Sequence, residues 1–321
     1  MLSSAARRCN NWLGRLHRQN LPGRLLKILA AATFTQLSIE AAARLNVRRE
    51  RKSRACLGDR LYFESLGTGP PLLLIPGFQG TTRYWEGSVS RLAEAHRVIM
   101  IDPLGFGRSP WPDIDYTLDD HLEAIGRTIE PLILAQPVTI LAHSFGCVLA
   151  AWYAARNPGR VSRMILLGAP VFHDEDDAVD RVSEMSSMAA LFALHPILAA
   201  ESCKITCALR PLVQALSRLV PSRLSPDVMS DSMLHYWKSV NGTLRNVLLG
   251  KPIEEAIKDL ECDITFIHGS RDQVSSLERV RGLAAASRGH LLTTDDDHQS
   301  YLSRSLSLIA EALRRPEPFR S

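Results

Sequence analysis

Ser144 stands in the stretch LAHSFGC, Leu141 to Cys147, between the β-branched run Pro137-Val138-Thr139-Ile140-Leu141 and the apolar run Val148 to Ala155. The first run reads as a buried strand and the second as a helix, so the serine falls on the turn that joins them. There its side chain is lifted out at the end of a sheet, and the next N–H, that of Phe145, is aimed where an oxyanion would develop. A neutral serine hydroxyl is a poor nucleophile. It becomes an active one with a base in hydrogen-bond reach and a third group that orients the base. Asp272, in HGSRDQV, follows a strand end, where ligand-contacting groups gather in open parallel sheets. His298, in DDDHQSY, comes just after the last strand and before a terminal helix. Acyl transfer is the chemistry that such a set serves.

Each assignment has a plainer competitor. Ser144 could be a turn serine, Asp272 a helix cap, since Asp is favoured at such positions, and His298 a solvated loop histidine. His143 adjoins the serine, but its side chain is expected on the other side of the turn, in a structural role. His173, His195, His235 and His290 are expected to pack or face solvent. Asp102, in DPLGFGRS, also follows a strand, yet it suits the turn carrying Gly105 and Gly107 better than an acid role.

The elements that must position these residues form an α/β pattern. Strands are expected at Leu61 to Leu66, Pro71 to Ile75, Arg97 to Ile101, Val138 to Leu141, Met164 to Leu167, Ile264 to Ile267 and His290 to Thr293, with helices in most of the gaps. After Gly168-Ala169-Pro170 the alternation stops. About eighty residues follow with helical periodicity and no clear strand, divided by Pro196, Pro211, Pro221 and Pro226. This all-helical insertion reads as a lid, and its Leu and Met residues are expected chiefly to form its own core. The resulting division is a basic N-terminal arm at 1–55, a core at 56–169 and 251–315, and a helical lid at 170–250.

With LLLIPGF and a later Trp85, DPLGFGRS after a strand, AHSFG at the turn, and the Asp272 and His298 segments in that order, the chain resembles the α/β-hydrolase superfamily, in its lidded branch, from Asp59 to about Leu313. The resemblance implies a mostly parallel sheet with helices on both faces, a Ser144–Asp272–His298 triad, and an oxyanion hole in which the N–H of Phe78 joins that of Phe145. Three departures stand out: Ala142 where the family's turn usually has glycine, Pro76-Gly77 in place of His-Gly, and Asp297 in place of a common glycine. Epoxide hydrolases and haloalkane dehalogenases of this branch use an aspartate nucleophile, so Ser144 points away from both. The expected activity is hydrolysis of a small, largely apolar ester, thioester or lactone through an acyl-enzyme. The alternatives are a carbon–carbon bond hydrolase of the same fold and a non-hydrolytic ligand receptor.

Composition sets the surroundings. The 321 residues are 45% hydrophobic and 22% charged, as in soluble globular proteins. Six scattered cysteines without a CxxC pair indicate reduced thiols and a cytoplasmic location. No metal site or phosphate-binding glycine loop is recognisable, so neither metal nor cofactor is expected. The net charge of +4 hides an asymmetry: residues 1–55 hold twelve Lys and Arg against Glu40 and Glu50, while the remainder is acidic. With the basic character confined to the arm, the expected partner is a small apolar substrate and not nucleic acid. Within the arm, Leu21, Leu25, Ile28, Leu29 and Ala32 share one helical face, too short between charges to span a bilayer. Three readings stay open for it: peripheral contact with an anionic membrane, an organelle transit segment, or a solvated basic extension packing loosely on the domain.

Overall fold

In the computed structural model, which describes residues 23–134, 136–185, 195–222, 224–299 and 305–315, all seven expected strands form. They are β1 (Phe63–Leu66), β2 (Pro71–Ile75), β3 (Arg97–Ile101), β4 (Val138–His143), β5 (Val161–Leu167), β6 (Asp263–Gly269) and β7 (His290–Thr294). β1 begins two residues later than its apolar run suggests. The N–H groups of Leu61 and Tyr62 go to side chains instead, Thr128 Oγ1 and Ser109 Oγ, each at 2.8 Å. The sheet order is β1-β3-β2-β4-β5-β6-β7, with β1 antiparallel to β3 and every other pairing parallel.

Strand β2 explains why the sheet is covered on both faces. All five of its residues are buried, and alternate side chains point to opposite sides. Leu73 and Ile75 join Ile99, Ile101, Ile140 and Ala142 in one core layer. Leu72 and Leu74 join Val98, Met100, Leu141 and Trp85 in the other. The helices α1 (Gly23–Arg54), α2 (Glu86–Leu92), α3 (Leu118–Ile133) and α4 (Phe145–Arg156) precede β5. Between β5 and β6 the chain forms α5 (Glu175–Met185), α6 (Pro196–Ala208), α7 (Arg210–Ser217), α8 (Pro226–Asp231), α9 (Trp237–Thr243) and α10 (Ile253–Ile257). Proline opens α6, α7 and α8, where its missing N–H costs no helical bond. The helices α11 (Leu277–Ala286) and α12 (Leu306–Arg314) complete the described fold.

Two expectations take a more definite form in the structure. The arm does not end where packing divides: α1 runs through residue 54, and its second half is built into the body. Ala43 and Val47 are buried in the main core layer, and Asn46 donates to the carbonyls of Cys207 and Ala208 at the end of α6. The Arg54 guanidinium lies over the Trp111 ring and donates to the Gly107 carbonyl at 2.7 Å. The insertion, in turn, keeps only part of its leucines inside: Leu244 and Leu248 are buried in the core. Ile197, Leu198, Leu212, Leu216 and Leu219 are more than half exposed. Of the apolar face expected on the arm, Leu21 lies outside the described residues, Leu29 is half-buried, and Ile28 and Ala32 are exposed.

Candidate active site

Ser144 sits between β4 and α4 with φ 50° and ψ −119°, a left-handed conformation that costs a non-glycine residue about 1–3 kcal/mol. The surroundings hold it there. Its N–H donates to the Leu167 carbonyl at the end of β5, and its carbonyl accepts from Cys147. Gly146 is required by contact: a Cβ there would stand 2.5 Å from the Ile75 carbonyl oxygen and 2.7 Å from that of Pro76. Ala142, where the family pattern has glycine, is fully buried between Ile75 of β2 and Leu166 of β5.

Three side chains separated in sequence meet at this turn. His298 Nδ1–H donates to Asp272 Oδ2 at 2.9 Å, which leaves Nε2 as the acceptor for the Ser144 hydroxyl at 2.8 Å. Asp272 is not a helix cap, since Ser276 caps α11; it divides its oxygens between a turn and the histidine. Oδ1 accepts the N–H groups of Val274 and Ser275, closing the turn after β6, while Oδ2 faces His298. The two loops are tied together: Ser270 and Arg271 donate their N–H groups to the carbonyls of Thr294 and Asp296. Asp297 turns aside and accepts the Gln299 N–H at 3.1 Å. Ser144 and His298 are each only 8% exposed.

The two backbone segments expected to supply an oxyanion hole lie side by side. Phe145 is the first residue of α4, where N–H groups have no intrahelical acceptor and the helix dipole favours negative charge. Phe78 lies beside it, their rings edge to face at 6.0 Å. Gly77 presses this loop onto the turn, since a Cβ on it would lie 3.0 Å from His143 Nδ1 and 3.6 Å from Ser144 Cβ. Phe78 also meets Phe106 edge to face at 5.6 Å. Phe106, Cys203 of α6 and Val240 of α9 form a small apolar cluster against which Phe78 and Trp237 pack, so residues of the insertion meet the loop that carries Phe78.

Two further residues matter here. His143 is buried, and its Nε2–H donates to the backbone carbonyl of His298 at 2.9 Å. Its Nδ1 is therefore the acceptor, and the Tyr84 hydroxyl donates to it at 2.6 Å. Burial, helped by the neighbouring His298 ring, holds His143 down to about 3, so it is a neutral strut behind His298. The structural role expected of His143 is thus directed at the site itself. Tyr84 gave no signal, because its partner lies 59 residues away. Asp102 is fully buried and accepts the N–H groups of Thr82 (2.6 Å) and Arg108 (2.7 Å), securing the DPLGFGRS turn as expected. His121 donates to or accepts from Thr243 Oγ1 at 2.9 Å, and His235 Nδ1–H donates to the Ser232 carbonyl at 3.0 Å; both are packing residues. Among the described residues no cluster of His, Cys, Asp and Glu could hold a metal ion, and no helix is long and apolar enough to cross a membrane.

A family model described as alpha/beta hydrolase fold matches residues 70–190. The chain is 25% identical over 281 residues to the probable lysophospholipase BODYGUARD 1 of Arabidopsis thaliana, covering 77% of this chain and 60% of that protein. It is 30% identical over 122 residues to cis-3-alkyl-4-alkyloxetan-2-one decarboxylase of Shewanella oneidensis, covering 37% and 38% of the two chains. This chain therefore spans less than two thirds of either relative. The crystal structure of the enol-lactonase from Burkholderia xenovorans superposes with a TM-score of 0.60 at 17% identity, over 79% of this chain and 96% of that one.

Proposed function

We propose, from the premise that this chain belongs to the α/β-hydrolase superfamily, that it hydrolyses carboxylic ester bonds of a largely apolar substrate through an acyl-enzyme. The observation that carries the reading is the continuous path from Asp272 through His298 to Ser144, with bonds of 2.9 and 2.8 Å. In this reading Ser144 Oγ attacks the acyl carbonyl while its proton passes to His298 Nε2. Asp272 holds the imidazolium that results. The N–H groups of Phe78 and Phe145 take the charge on the tetrahedral oxygen. His298 then gives its proton to the leaving alcohol, the acyl group stays on Ser144, and water activated by His298 releases the acid and restores the hydroxyl.

The walls beside the serine favour an apolar substrate. Phe78, Phe106 and Trp237 place aromatic surface beside the oxyanion loop, which favours an apolar portion next to the reacting carbonyl. The names of the relatives, a probable lysophospholipase and an enol-lactonase, agree with an ester or lactone; thioesters share the same acyl chemistry. The test is turnover of p-nitrophenyl esters from acetate to palmitate, with a lactone and a thioester alongside. Wild-type protein is expected to hydrolyse members of the series, and Ser144→Ala to lose at least about a thousandfold. Failure on every ester, thioester and lactone would overturn the reading in favour of a non-hydrolytic receptor.

A further inference from the structure

The insertion and the N-terminal helix carry nearly all the large apolar side chains that the described surface exposes. Of fourteen such residues, twelve lie in residues 28–45 and 197–220, and the rest of the described surface adds only Leu66 and Leu134. These two segments are neighbours in space, since α1 packs along α6 through Asn46 and through Lys204 facing Glu40. A soluble monomer rarely gathers its exposed apolar groups in this way without a use for them.

Helical geometry shows that the arrangement has an inside and an outside. At about 100° per residue, Ala199, Cys203 and Cys207 share one face of α6, and all three are buried. Leu198 and Ile205 fall on the opposite face and are exposed. The inner face reaches the active-site cluster through Cys203, which packs with Phe106. One helix thickness therefore separates the oxyanion loop from the outer apolar surface. In α1 the buried Ala43 and Val47 define the inner face, and Phe34, Leu37, Ala41 and Leu45 recur on the outer one, Phe34 being 73% exposed. The same outer stripe carries Lys27, Arg48 and Lys52, while Glu40 and Glu50 turn toward the body. Along α1 the apolar residues are thus bracketed by cations with no carboxylate among them, while on α6 Glu201 shares the outer face with Leu198 and Ile205 and is paired with Lys204 at 2.7 Å. Beyond α6 in the chain, Leu212 and Leu216 on α7 are more than half exposed, and Leu219 is 78% exposed. A cleft of about 690 Å³ between α1 and the start of α9 holds Arg44, Arg51, Lys204 and Lys238 together with Glu40 and Asp113; Glu40 pairs with Arg44 and Lys204, and Asp113 with Lys238, so the cations that remain for a headgroup layer are chiefly those of the α1 stripe.

We infer that the outer face of α1, α6 and α7 is a docking surface for an anionic phospholipid bilayer, lying flat on the interface with its leucines and Phe34 among the acyl chains. An apolar stripe bracketed by Lys and Arg matches a negatively charged headgroup layer over a hydrocarbon interior. A second copy of the same surface would bring like charges together. The face differs from the one expected at Leu21 to Ala32, and it includes insertion helices that sequence periodicity assigned to an internal core. The inference stands on the surface alone and does not depend on the ester-hydrolysis reading.

The test uses the full chain and sedimentation with vesicles of equal parts phosphatidylglycerol and phosphatidylcholine. Three double variants are compared: Phe34→Ser with Leu37→Ser, Leu212→Ser with Leu216→Ser, and Arg48→Gln with Lys52→Gln. All six side chains are exposed, so thermal midpoints are expected to stay at the wild-type value, as is turnover of a soluble ester. Each apolar pair is expected to weaken vesicle binding at least tenfold, and the charge pair by about fivefold for each cation removed. Wild-type binding is expected to weaken in high salt. Binding that is equal for wild type and all variants overturns the inference, as does equally strong, salt-independent binding to pure phosphatidylcholine. A change of oligomeric state in the apolar variants, by sedimentation velocity with vesicle binding untouched, also overturns it and assigns the face to self-association.

Discussion

Tyr84→Phe removes one oxygen and keeps the ring, so the edge-to-face contact with Trp85 at 5.6 Å survives. What it deletes is the O–H donated to His143 Nδ1 at 2.6 Å. His143 is 2% exposed, so water does not readily replace that donor. A buried acceptor deprived of its donor costs about 1–3 kcal/mol, against about 1 kcal/mol net for an ordinary bond. The unfolding free energy in urea, followed by tryptophan fluorescence, is expected to drop by that amount. The second consequence is kinetic. His143 holds the carbonyl of His298 from behind at 2.9 Å, and a strut that loses its own anchor no longer fixes the base against Ser144. A misplacement of about 1 Å costs on the order of a hundredfold in rate, so partial loosening predicts kcat down about tenfold with KM changed less than about twofold. His143→Gln, whose amide can still donate to the carbonyl, is expected to retain more activity than His143→Leu. Tyr84→Phe with stability within about 0.5 kcal/mol of wild type and unchanged kcat would refute the strut.

Acid stability depends on the buried histidines. Burial holds His121 and His235 down to about 4 and His143 to about 3, against about 6.5 in the unfolded chain. The unfolded state therefore takes up these protons first, and stability falls as pH drops through 6.5 toward 4. Each histidine contributes a loss of about 2 kcal/mol between pH 7 and pH 5. Urea midpoints that stay flat over that range would contradict the shifts. Val47→Ala, on the inner face of α1, is expected to cost about 1–3 kcal/mol in the same assay, whereas an independent arm predicts no change. Gly146→Ala drives a Cβ against two backbone carbonyls and is expected to cost about 1–3 kcal/mol or to prevent folding; a soluble variant of wild-type thermal midpoint would disprove the close packing of α4 against β2.

Strands were the most legible part of the molecule because a parallel sheet buried on both faces writes continuous apolar runs, as in Pro71–Ile75. Boundaries failed where side chains took over backbone partners, as Thr128 and Ser109 do for Leu61 and Tyr62. The serine turn, the Asp272 turn and the His298 loop could be read because each follows a strand end in a recognisable segment. The Tyr84–His143 contact could not, since neither residue type nor spacing encodes a meeting across 59 positions. How firmly α1 docks was hidden for another reason. Its inner face offers a small residue, a polar one and a single valine, Ala43, Asn46 and Val47, and the surrounding arginines dominate its composition. The insertion's leucines have helical spacing whether they face a core or an outer surface, so periodicity alone could not tell which.

The central claim, that Ser144 is the nucleophile activated by His298, is tested most directly by a fluorophosphonate probe followed by mass spectrometry of the labelled peptide. The Ser144–His298–Asp272 geometry predicts one modified residue, Ser144, with labelling lost in Ser144→Ala and strongly slowed in His298→Ala. A probe that modifies a different serine, or that labels Ser144 equally fast without His298, would contradict it.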